Sequence, residues 1–118
     1  MIQYEIRMDP GLVRYRNEDT ADVAGRKNDG RAGFPFLAVI ADGMGGAPDG
    51  HIASQVAVDD ILKNWNNESK WSENELAEAV LSANTAVGKY GRAHSESYGL
   101  GTTLTVLQLT ADDALIAA

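Results

Sequence analysis

Ile2, Tyr4, Ile6 and Met8 alternate with Gln3, Glu5 and Arg7, a period of two that predicts a half-buried β-strand. Asp9-Pro10-Gly11 turns the chain, and residues 12–15 read as extended again before Asn17-Glu18-Asp19. The polar stretch that follows, ending in Asn28-Asp29-Gly30, predicts a loop or hairpin tip. Between 34 and 41 apolar residues occupy both parities, which predicts a strand covered on both faces. Glycines and Pro48 exclude regular structure from 43 to 50, and Asp49 is placed to cap a helix. That helix carries Ile52, Ala53, Val56, Ala57, Ile61 and Leu62 at helical spacing.

A polar break at 64–70 separates it from a second helix. There Ser72 and Glu75 form a capping-box pair, and Leu76, Ala79, Val80, Ala83, Ala86, Val87 and Tyr90 keep one apolar stripe. Residues 91–98 read as a loop, and 102–109 as a β-branched strand. A turn at Thr110-Ala111-Asp112-Asp113 leads into the apolar run Ala114-Leu115-Ile116-Ala117-Ala118. The chain stops inside that run with no turn signal, so we expect it to be part of a longer domain.

Composition narrows the function. At 118 residues there is room for one domain and not two. The 17 acidic residues against 10 basic ones, with no basic run, argue against nucleic acid as a partner, since nothing here neutralises a row of phosphates. With no cysteine, any metal must be held by oxygen or imidazole, which points to hard ions such as Mg²⁺ or Mn²⁺. The charged, alternating N-terminus is unlike a secretory leader, and no apolar stretch approaches membrane-spanning length. The expected setting is cytoplasmic, with no membrane contact.

The chemistry concentrates where Asp42-Gly43-Met44-Gly45-Gly46 leaves the apolar strand. A carboxylate at a rigid strand end can bridge cations, and glycine lets the main chain turn with positive φ and approach an ion. The bland alternative is an ordinary Asp-Gly turn. Gly43 adds a main-chain carbonyl as a further oxygen donor. Upstream, Glu18 and Asp19 are neighbours on an extended segment and point to opposite sides, so one should bind an ion directly and the other orient water. Arg14 shares parity with Glu18, and its planar fork suits a phosphate. A surface ion pair with Glu18 is the competing explanation for it. His51 and His94 read as solvated or capping residues. Gly99-Leu100-Gly101-Thr102-Thr103 opens a strand and not a helix, so close backbone packing explains it better than a nucleotide loop.

Taken in order, Arg14-Tyr15-Arg16-Asn17-Glu18-Asp19, Asp42-Gly43-Met44-Gly45-Gly46, Gly50-His51-Ile52-Ala53-Ser54 and Gly99-Leu100-Gly101-Thr102-Thr103 resemble the bacterial form of the PP2C (PPM) family of metal-dependent serine/threonine protein phosphatases. The resemblance implies an α+β fold, a β-sandwich of antiparallel sheets with flanking helices, of which residues 1–118 make up about the first half. It implies hydrolysis of phosphoserine and phosphothreonine by a water activated by two Mn²⁺ or Mg²⁺ ions. Asp42 would bridge both ions, Glu18 and the Gly43 carbonyl would bind the second, Asp19 would order water, and Arg14 would grip the substrate phosphate. The substrate would be a phosphoprotein made by a serine/threonine kinase. The family's later aspartates, which complete the first ion's shell, are absent from these residues, so the chain alone is expected to turn over little or no substrate; half a sandwich leaves sheet uncovered, so it is expected to self-associate. The competing reading is a non-catalytic PP2C-like regulatory or protein-interaction module. A cation-binding loop protein using Asp42 and Asp49 around the glycines fits poorly, because neither an EF-hand spacing nor a repeated glycine-aspartate nonapeptide is present.

Overall fold

A computed structural model describes residues 2–8, 18–44, 50–66, 69–94 and 100–118. Among them run strands β1 (Ile2–Gln3), β2 (Asp19–Val23), β3 (Arg31–Ala32) and β4 (Phe36–Asp42), helices α1 (Gly50–Asn64) and α2 (Glu73–Ala93), then β5 (Thr105–Leu109) and β6 (Ala114–Ala117). An antiparallel four-stranded sheet has the order β2-β4-β5-β6, and β1 pairs with β3 in a small second sheet. Antiparallel sheets with two helices match the expected architecture.

β4 is central because its sequence can bury one whole face. Leu37, Val39 and Ala41 are buried against α1 and α2, joined by Val106 of β5. Helix α1 meets them with Ala57, Val58 and Ile61, where alanine lets the helix come close. Burying each larger aliphatic contributes roughly 1.5–3 kcal/mol relative to leaving it exposed. Helix α2 begins at the predicted capping box: Ser72 Oγ accepts from Glu75 N at 3.1 Å, and Ser72 N donates to Glu75 Oε1 at 3.0 Å. It buries Leu76, Ala79 and Ala83 from the predicted stripe.

The loop between the helices is tied down by a buried polar residue. Gln108 of β5 is buried, and its amide accepts from Trp71 N at 2.7 Å and donates to Trp71 O at 2.9 Å. Trp65 packs edge-on against Trp71 with ring centroids 5.0 Å apart.

The structure departs from the sequence pattern at several elements. Residues 2–8 keep the alternating burial through Ile6, yet only Ile2–Gln3 is laddered, and Tyr4 N then donates to Gly30 O at 2.8 Å. Gly30 has φ +67°, and a Cβ there would lie 2.6 Å from Tyr4 O, so this turn needs glycine. The polar stretch after Glu18 begins with a strand, β2, in which Thr20 meets Ser54 of α1 and Val23 is buried, with Ala21 and Asp22 between them. β4 is not covered on both faces: Phe36 is buried with Tyr4 beside it (centroids 6.0 Å apart), but Ile40 on the same face is 58% exposed. Helix α2 passes Gly91 and ends at Ala93, where His94 caps it. Laddering of the next strand starts at Thr105, preceded by an isolated bridge from Thr102 to Gly43. The extended reading of 12–15 and the Asp49 cap lie outside the described residues.

Candidate metal centre

The β2–β4 register decides how the acidic residues meet. Asp19 pairs with Asp42, and Thr20 with Ala41. Partners in a ladder share a face, and successive residues alternate. Asp19 and Asp42 therefore lie together on the face of the sheet that also carries Ile40, while Glu18 and Thr20 lie on the helix side with buried Ala41. The expected opposition of Glu18 and Asp19 holds, and Asp19 is the direct cross-strand neighbour of Asp42.

Glu18 sits at a junction of three backbones. Gly43 N donates to Glu18 O at 3.0 Å, tying the end of β4 to the start of β2. A Cβ on Gly43 would collide with Gly50 O and lie 2.9 Å from Glu18 O. A Cβ on Gly50 would lie 2.8 Å from Glu18 Oε2 and 2.9 Å from Met44 O. Both glycines are thus there for room. Positive φ among the described glycines belongs to Gly25 and Gly30, so the left-handed bend expected at Gly43 is replaced by close approach.

Asp42 is held by its own main chain. Its N donates to Thr103 Oγ1 at 3.1 Å, and its O accepts from Thr103 N at 2.9 Å. Met44 N donates to Gly101 O at 3.1 Å, and the Met44 thioether lies where a Cβ on Gly101 would be. Residues 101–103 of the glycine segment therefore serve backbone packing, as its strand-opening position predicts, while Gly99 lies outside the described residues. Sequence reading missed Thr103; its only signal is a hydroxyl residue next to a glycine-rich segment.

The donor set is one of hard oxygens. Glu18 Oε2 is buried, and no hydrogen-bond partner is found for it among the described residues. A buried carboxylate oxygen is costly unless something compensates its charge, and a cation does so. Glu18, Asp42, Asp19 and the Gly43 carbonyl are all oxygen donors, the set that Mg²⁺ and Mn²⁺ prefer. Among the described residues no three His, Cys, Asp or Glu side chains are grouped tightly enough to hold one ion. Hard ions commonly take remaining positions from water, so the set fits in part. Arg14 lies outside the described residues. His94 stacks on Tyr90 with centroids 4.0 Å apart and its Nδ1 is 2.9 Å from Tyr90 O, a capping arrangement. His51 lies in the first turn of α1, half-buried.

The family model described as Protein phosphatase 2C matches residues 16–118, which include every one of these donors. The chain belongs to the protein phosphatase 2C family. It is 28% identical over 118 residues to the serine/threonine phosphatase stp of Listeria monocytogenes serotype 4b (strain F2365), covering 96% of this chain and 45% of that protein. The crystal structure of the Mycobacterium tuberculosis serine/threonine phosphatase PstP/Ppp superposes with a TM-score of 0.73 at 30% identity, over 93% of this chain and 43% of that one. The PstP catalytic domain in complex with two manganese ions superposes with a TM-score of 0.66 at 30% identity, over 89% of this chain and 42% of that one. The chain thus spans about half the length of these relatives. No helix among the described residues is long and apolar enough to cross a membrane.

Proposed function

We propose that residues 1–118 are the N-terminal portion of a single phosphatase domain that hydrolyses phosphoserine and phosphothreonine in proteins. The observation that carries this reading is the Glu18 carboxylate oxygen, buried against Gly50 with no hydrogen-bond partner among the described residues, across the sheet end from the Asp19–Asp42 pair. When bound, two Mn²⁺ or Mg²⁺ ions would lower the pKa of a shared water and neutralise charge that builds on the phosphoryl group.

The chain's own residues would hold and orient. Asp42 would bridge the ions from the end of β4, with its peptide group fixed by Thr103. Glu18 and the Gly43 carbonyl would bind the second ion. Asp19, beside Asp42 on the ladder, would order the attacking water, and Arg14 would hold the substrate phosphate. The phosphoprotein substrate would come from a serine/threonine kinase, in a cytoplasmic setting.

Because the described residues group fewer than three ligating side chains, we expect little or no turnover from the 118-residue chain alone. The same observation supports the alternative reading, a non-catalytic regulatory or interaction module. Phosphatase assays with Mn²⁺ on this chain and on a version extended to the full domain separate the two. Activity in the extended protein is expected; activity in neither defeats the enzymatic reading.

A further inference from the structure

Ser54 is a hydroxyl residue with 0% exposure on the helix face that otherwise buries Ala53, Ala57 and Val58. Its Oγ donates to His51 O at 3.0 Å, inside the first turn of α1. That uses its single proton, so the 2.8 Å contact with Thr20 Oγ1 is a hydrogen bond in which Thr20 donates and Ser54 accepts. Helix and strand are thereby joined by a directional bond in an apolar setting.

We propose that Thr20 and Ser54 are positioning residues that set where the Glu18 carboxylate stands. Gly50 and Ser54 are one helical step of about 6 Å apart, and Glu18 and Thr20 are one same-face strand step of about 6.8 Å apart. The helix therefore runs in step with β2, with Gly50 over Glu18 and Ser54 over Thr20. Fixing the second contact fixes the first. An apolar pair at 20 and 54 would fill the space but would let α1 slide along the strand, carrying with it the Gly50 backbone that lies against Glu18 Oε2. This inference rests on the cation site proposed above.

The contact's role in positioning is separable from its role in stability. A buried hydrogen bond contributes little net stability, and replacing both partners by apolar groups is nearly neutral, whereas disturbing groups that orient a metal ligand costs on the order of 10–100-fold in affinity. The test measures Mn²⁺ binding to the 118-residue chain by electron paramagnetic resonance, alongside thermal melts, for wild type, E18Q, T20V, T20S, S54A and T20V/S54A. We expect T20V and S54A to weaken Mn²⁺ binding by about tenfold or more, T20S to restore it, and T20V/S54A to recover melting temperature without recovering Mn²⁺ affinity. If Mn²⁺ affinity in the double variant returns with stability, or if T20V and S54A bind as wild type while E18Q does not, the positioning role is overturned and the cation site stands. If wild type binds no Mn²⁺, or E18Q binds it as wild type does, the cation site itself falls and this inference falls with it.

Discussion

Asp19 and Asp42 are direct partners in the antiparallel ladder between β2 and β4, so two carboxylates share one face at the end of the sheet. Like charges directly opposite one another destabilise a sheet by roughly 0.2–1 kcal/mol. Such a pair is relieved by a cation. We therefore expect Asp42→Asn to match or exceed the wild-type melting temperature without metal and to lose the upward shift that Mn²⁺ gives wild type, since a ligand stabilises only what binds it. Melts with and without Mn²⁺ check this, and an equal Mn²⁺ shift in both proteins would remove Asp42 from the site.

The parts of this arrangement legible in the sequence were those written in local pattern. The capping box at Ser72 and Glu75 and the α2 stripe depend on residues within a turn of one another, and both appear as read. The strand ending at Asp42 was legible for the same reason. What escaped depends on contacts between distant segments. β2 looks like a loop because Asp19 and Asp22 break its apolar pattern, and it is a strand because β4 pairs with it. Gln108 finds partners for its amide only when Trp71 is brought against it, and Thr103 acquires a role only when its segment meets Asp42. Exposure of Ile40 likewise follows from which surfaces are assembled and not from its own neighbours in the chain.

Gly50 sets two known effects against each other. In an open helix, glycine to alanine stabilises by up to about 1 kcal/mol. At Gly50 the new methyl would lie 2.8 Å from Glu18 Oε2 and 2.9 Å from Met44 O, distances that force a shift of one or the other. The backbone of Met44 is tied to Gly101, so the Glu18 side chain should be the one to move. We expect Gly50→Ala to lower the melting temperature and to weaken Mn²⁺ binding. A more stable variant with unchanged Mn²⁺ affinity would show that the glycine is dispensable.

Gln108 allows a stability prediction away from the acidic junction. Gln108→Leu keeps the volume but leaves Trp71 N and O without their side-chain partners. Each unpaired buried polar group costs about 1–3 kcal/mol, so the variant should lose on the order of 2 kcal/mol or more in denaturant unfolding. Mn²⁺ affinity should be kept in the folded fraction. A loss under about 0.5 kcal/mol would mean that the loop finds other partners, as surface substitutions usually do.

The sheet face opposite the helices carries exposed apolar side chains. Ile40 is 58% exposed and Ile116 is 70% exposed, and the ladders place Ala38 and Leu107 in the row that ends at Ile116. This is a run of apolar side chains across β4, β5 and β6 of the kind that drives association. We expect the 118-residue chain to self-associate through it, with a light-scattering mass that rises with concentration. Ile40→Lys and Ile116→Lys introduce like charges that two copies would have to bury facing each other, so the double variant should remain monomeric at concentrations where wild type does not. Because both side chains are already largely in solvent, the change should cost the folded monomer little. A wild-type chain that stays a sharp monomer at high concentration, or a double variant that associates equally, would exclude this face as the contact.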